Sequence, residues 1–219
     1  MGSTATPLKA LPKARPRGPG RSRPSVEALI LDRELPRFDV AVAEHLVVGA
    51  DLEHTWTAVR DLDLMQVLSP FLNVAFWFRA LPARVRRRSR HLPPPPEPTL
   101  RVTPDNIPEP WVSFGQTPGR EVAFGVVGKF GRPAIEWFPV DVAGFSGFHR
   151  PGFGKIGASL SVRPYGERRT LLTYEVRVAT TDMVSRRRFA RYWLLIRPFV
   201  INVMRASLRQ IRRNAEASR

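Results

Sequence analysis

SRRRFARYWLLIRPFVINVMRASLRQIRRN, residues 185–214, carries an apolar stripe and a basic face along the same stretch. At about 100° per residue, Phe189, Tyr192, Trp193, Ile196, Phe199, Val200, Val203 and Ile211 fall within about 80° of one direction. Arg187, Arg191, Arg205, Arg209, Arg212 and Arg213 lie opposite. The spacing predicts an amphipathic helix from Asp182 to Asn214 with one buried side. A straight helix of about 32 residues is roughly 48 Å long, more than a domain of this size can cover. Pro198 lacks an N–H and crowds the Leu194 carbonyl, so the helix is expected to kink or break just before it. The stripe is either ordinary core packing or the lining of a ligand cavity.

Such a helix has to close over something apolar, and the chain before it reads as strand-rich. From Phe38, Val40, Val42, Leu46 and Val48 alternate with Asp39, Ala41, Ala43 and His45, the period of a strand. Asp51 is placed as an N-cap, with Leu52, Thr55, Trp56 and Val59 at helical spacing and an end near Asp61. Residues 67–81 are apolar nearly all round, including Phe71, Phe76, Trp77 and Phe78. A helix there must be buried, or meet ligand, membrane or partner on its second side. Residues 82–98, PARVRRRSRHLPPPPEP, form a loop of clustered arginines and prolines.

Strand-like pieces then follow in close order at 111–115, 121–129, 134–138, 142–148, 155–163 and 168–180. Turn signals separate several of them: Thr117-Pro118-Gly119, Gly131-Arg132-Pro133, Pro151-Gly152-Phe153-Gly154 and Pro164-Tyr165-Gly166-Glu167. Short connections predict an antiparallel meander. The whole order is strand, two helices, about six strands and a long helix, an α+β arrangement in one domain over residues 38–215. Residues 1–24 are a basic, Pro- and Gly-rich tail expected to be disordered, and residues 25–37 form a lead-in of unassigned position.

The chain has 219 residues, 43% of them hydrophobic, enough to bury a core. It contains no cysteine, which excludes disulfides, thiol nucleophiles and cysteine-based metal sites. A cytoplasmic home fits, with membrane contact at most peripheral, because no apolar window is long enough to span a bilayer. The net charge of +16 is uneven. It sits in the N-terminal tail, in the 82–98 loop, and in the last helix, where ten basic residues face two acidic ones over residues 182–219. Such patches attract polyanions or simply keep the chain soluble. Specific nucleic-acid binding is not expected, because the exposed basic segments carry few aromatics to stack on bases.

Four stretches, AEHLVVGADLEHTWTAVRDLD (43–63), PGREVAFGVVGKFGRP (118–133), RPGFGKIGASLSVRP (150–164) and LTYEVRVATTDMVSRRRFARYWLLIRPF (172–199), together with the element order, resemble the SRPBCC superfamily. Its members are also described as START-like, Bet v 1-like or polyketide-cyclase-like, and the likeness is to its uncharacterised bacterial branch. The resemblance covers residues 38–214. It implies a helix-grip fold, a curved antiparallel sheet wrapped around the C-terminal helix, with a cavity between them for a lipid, polyketide or other hydrophobic molecule. It implies no cofactor. Because the superfamily also contains enzymes, a cofactor-free cyclase or dehydratase is the alternative. The arginine-proline loop and the basic tail depart from the usual pattern.

In a cavity of this kind, Phe114, Phe124, Trp137, Phe145, Phe148, His149, Tyr174, Phe189 and Trp193 are the candidate ligand-binding residues. Glu44 shares a strand face with Val42 and Leu46. If that face looks inward, desolvation would suit the carboxylate to acid–base work; if the other face does, Glu44 is a surface residue. Glu175 shares a face with Arg177, either solvated or buried as a pair, and His149 is either a polar cavity contact or a surface residue beside a turn. Arg84, Arg86, Arg87, Arg88 and Arg90 would hold the entrance against an anionic membrane. Gly152 to Gly157 spells GxGxxG, but alternating SLSVRP follows where a dinucleotide site needs a helix, so it is read as a turn entering a strand. The four histidines show no metal-binding spacing.

Overall fold

In chain order the elements are α1 (Ile30–Glu34), β1 (Val40–Val48), α2 (Leu52–Arg60), β2 (Val112–Thr117), β3 (Glu121–Lys129), β4 (Glu136–Phe138), α3 (Val142–Ser146), β5 (Gly154–Pro164), β6 (Thr170–Thr180) and α4 (Met183–Ala217). The computed structural model describes residues 28–63, 67, 107, 109–130 and 136–219. The helix expected at 67–81, Val67 apart, and the loop at 82–98 lie outside the described residues.

The strands form one curved antiparallel sheet in the order β1-β6-β5-β3-β2, with β4 also on β3. This α+β architecture with its long C-terminal helix is compatible with a helix-grip arrangement. The first and last strands are neighbours, Val40 opposite Val178 and Val48 opposite Thr170, so the sheet delivers the chain directly into α4. Asp182 makes that turn sharp. Its Oδ1 accepts from the Val184 and Ser185 N–H groups at 2.8 and 2.9 Å, and its Oδ2 accepts from Gly152 N–H at 2.6 Å. These hydrogen bonds, led by that of Ser185, hold its carboxyl far below the usual carboxylate range.

The expected meander is corrected at one place. Residues 142–146 are a helix, not a strand, because the Asp141 carboxylate caps it by accepting from Gly144 N–H at 2.6 Å and because Phe145 turns wholly into the core. This short helix carries the chain from β4, on one edge of β3, to β5 on the other. The described sheet therefore has six strands, one fewer than expected.

Of the kink or break expected at Pro198, the break does not occur. α4 runs unbroken for 35 residues, about 52 Å, with Pro198 inside it. Pro198 and Leu194 are both exposed, so the carbonyl that loses its helical donor lies on the wet side, where water satisfies it. The buried stripe also moves round the helix as it crosses the twisted sheet. Leu208, outside the predicted arc, is core, while Phe199 at the arc's edge is exposed.

Side chains alternate across the sheet and build a layer on each side. Facing α4 and α2 are Val122, Phe124, Leu160, Leu172 and Tyr174, packed with Trp56, Val59, Met204, Leu208 and Ile211. On the opposite face lie α1 and α3. Ile30, Leu31 and Leu35 are almost fully buried there, each worth about 1.5–3 kcal/mol of apolar burial. The lead-in segment is thus a structural layer over the sheet's outer face.

Candidate functional site

Register decides which candidate residues can meet. In the β1–β6 ladder Glu44 stands opposite Tyr174, and in the β5–β6 ladder Leu160 does, so Glu44, Tyr174 and Leu160 form a row on the side facing α4. Phe124 stands opposite Ala158 on that same side. Trp137 stands opposite Gly128, and its ring lies 6.4 Å from Trp111 and 6.0 Å from Phe130. Phe130 reaches Phe189 at 6.3 Å, and Phe189 stacks on Trp193 at 5.8 Å. A continuous aromatic run therefore links the β3–β4 end of the sheet to the first half of α4. Phe124, Trp137, Tyr174, Phe189 and Trp193 belong to this side.

Phe114, Phe145, Phe148 and His149 do not. β2 bulges between Ser113 and Gly115, where Gly115 takes φ +93°, and Phe114 turns to the outer face against Phe145 with ring centroids 4.7 Å apart. Phe148 joins Phe138 and Phe153 on that face, at 5.4 and 5.3 Å. The exposed His149 donates from Nδ1 to the Gly147 carbonyl at 2.6 Å. The sheet itself separates these four from the other five, so the nine do not line one space.

The three acid–base candidates are each engaged. Glu44 does face α4, and Arg205 of that helix grips its carboxylate with two donors, Nε to Oε2 at 2.9 Å and an Nη2 contact to Oε1 at 3.2 Å. This ties β1 to α4. Glu175 lies on the outer face and accepts from Arg177 Nε at 2.7 Å. Arg177 also donates to Asp32 Oδ1 at 2.7 Å and to the Leu31 carbonyl at 3.2 Å, so it fastens α1 to the sheet. The lead-in segment buries Arg177 and half-buries Glu175, a cover that alternation along β6 does not reveal.

Tyr174 is the polar group that remains on the helix-facing side. It is 6% exposed within the apolar cluster. Burial pushes its pKa up to about 12, so the phenol is neutral and available as donor and acceptor. Sequence reasoning included Tyr174 only as one aromatic among nine. Its position opposite Glu44 comes from the β1–β6 register, which required the fold.

A cavity of about 80 Å³ opens where the aromatic run meets the start of α4, lined by Lys129, Phe130, Gly152, Phe153, Gly154, Thr180, Ser185, Arg188 and Phe189. Lys129 is engaged there by Glu136 at 2.9 Å and lies over the Phe153 ring at 4.7 Å. The volume is below that of a drug-sized ligand site. Arg84, Arg86, Arg87, Arg88 and Arg90 lie outside the described residues. Among the described residues no group of three or more His, Cys, Asp or Glu gathers as a metal site, and no helix is long and apolar enough to cross a membrane.

No family model matches the chain, and no curated protein matches it. Among solved structures, the chain is similar to TTHA0849 from Thermus thermophilus, with 11% identity over 82% of this chain and 99% of that one, at a TM-score of 0.30.

Proposed function

We propose that the chain is a helix-grip domain of the SRPBCC type that encloses a hydrophobic small molecule, lipid or polyketide-like, between the sheet and α4. The observation that carries this reading is Tyr174, a neutral phenol set within the apolar cluster on the helix-facing side. The surrounding apolar and aromatic side chains, Phe124, Trp111, Val176 and Val200, have the character of a pocket for a largely apolar body with one polar anchor.

Native mass spectrometry of gently purified protein, followed by solvent extraction, tests it. The expected result is a defined adduct that disappears on extraction and is retained less by Tyr174→Phe. A clean apo mass, with no uptake of fatty acids or aromatic polyketides offered afterwards, would sink the reading.

The alternative, a cofactor-free cyclase or dehydratase, draws on the register that sets the Glu44 carboxylate beside Tyr174. Against it, Arg205 engages both oxygens of that carboxylate, and Glu175 and His149 are on the opposite face. Turnover of a polyketide-like substrate that Glu44→Gln abolishes while the adduct is retained would favour the enzyme.

A further inference from the structure

We propose that the outward side of the first half of α4 is a docking surface for an anionic lipid bilayer. It goes beyond the cavity reading and stands apart from it. Half of the ten exposed large apolar residues among the described residues sit on this one stretch: Met183, Val184, Leu194, Leu195 and Phe199. Leu194 and Leu195 are adjacent and 77% and 79% exposed, a large unburied apolar area for one helical turn. Arginines alternate with them along the axis. At helical spacing, Arg187 and Arg191 fall on the same side as Leu194 and Pro198, opposite the buried Phe189 and Trp193.

Arg186 pairs with Asp39 at 3.1 Å, but Arg187, Arg188, Arg191 and Arg197 have no ion pair among the described residues. Between Asp182 and Glu216 the helix carries no acidic residue. Leucines that insert at the acyl boundary and arginines that reach up to lipid phosphates make one surface with both requirements of an interfacial helix. A nucleic-acid backbone would use the arginines and leave the leucines wet. A second copy would set arginine against arginine on chains of net charge +16.

The absence of cysteine makes a site-specific test direct. The full chain carrying Leu194→Cys is labelled with an environment-sensitive fluorophore and mixed, at physiological salt, with vesicles of phosphatidylcholine containing one third phosphatidylserine. Glu167→Cys, in the turn at the far end of β6, is the control. The expected result is a blue shift at Leu194→Cys that pure phosphatidylcholine does not give and that Glu167→Cys lacks. The unlabelled Leu194→Ser/Leu195→Ser variant should partition at least about tenfold less with its thermal unfolding unchanged, since both leucines are exposed. Vesicle binding with no shift at Leu194→Cys would mean attachment through the basic tail and would overturn the proposal. So would equal partitioning of the double variant, a shift that rises with protein concentration alone, or an equal shift on duplex DNA.

Discussion

Gly125 of β3 and Gly157 of β5 stand opposite each other in the ladder, and together they make the flat strip on which α1 and the Phe114–Phe145 pair rest. A Cβ on Gly157 would lie 2.8 Å from Leu31 Cδ2, and one on Gly125 would meet both the Phe114 and Phe145 rings, Phe145 Cε2 at 2.9 Å. Gly125→Ala should therefore destabilise by about 1–3 kcal/mol in urea unfolding, and Gly157→Ala by less, because a leucine methyl gives way more readily than two packed rings. Equal stability of Gly125→Ala and the parent would show that the outer layer is loosely seated.

Arg177 joins two elements through one guanidinium: it meets Glu175 on its own strand, and Asp32 and the Leu31 carbonyl on α1. Arg177→Met keeps the apolar stem and removes the donors. The expected loss is about 2–4 kcal/mol, because buried acceptors are left unmet. Hydrogen exchange should accelerate selectively over residues 28–35. If exchange there does not change, α1 is held by its leucines alone.

Glu121 gives the folded protein a pH dependence opposite in sign to that of most carboxylates. Burial raises its pKa, outweighing the Ile30 N–H that donates to it at 3.0 Å and the nearby Arg120 and Arg33. The folded state then holds a proton that the unfolded state has released, so stability falls as pH rises from the ordinary carboxylate value to the raised one. Glu121→Gln should flatten this part of the stability profile. The check is the difference between the two proteins in urea midpoint across that window, and a constant difference would contradict the assignment.

Tyr174 should be the phenol that resists ionisation. Its pKa stands at about 12 against an ordinary 10.0, so between these values the folded state loses stability as pH rises. An ultraviolet phenolate titration of the parent minus Tyr174→Phe isolates its step. A step at the ordinary value would mean that water reaches the hydroxyl freely and would weaken the case for an enclosed site.

Much of the frame was legible because it rests on local patterns. Alternation located β1, β3, β5 and β6, and the Asp51 cap with its helical spacing located α2, whose His54 N–H donates to Asp51 at 3.0 Å. Residues 142–148 misled because a short apolar and aromatic segment, with Val142, Phe145 and Phe148, has the composition of a strand. The overlooked signal was Asp141, a capping residue three positions before Gly144. The site was less legible than the fold. Only the β1–β6 register put Glu44 beside Tyr174, and a bulge at Gly115 put Phe114 on the outer side; no local pattern announced either.

The sequence by itself determined the α+β class, the long C-terminal helix and the basic character of that helix's outer side, because hydrophobic period and charge spacing are properties of neighbours in the chain. The tertiary structure alone decided the rest. It placed Phe114, Phe145, Phe148 and His149 behind the sheet and away from Tyr174, closed Arg205 onto Glu44 across 161 residues, and folded the lead-in over Arg177. These outcomes depend on strand order, on register and on which element covers which face. Such contacts join residues far apart in sequence, and their energies are settled only when the layers come together.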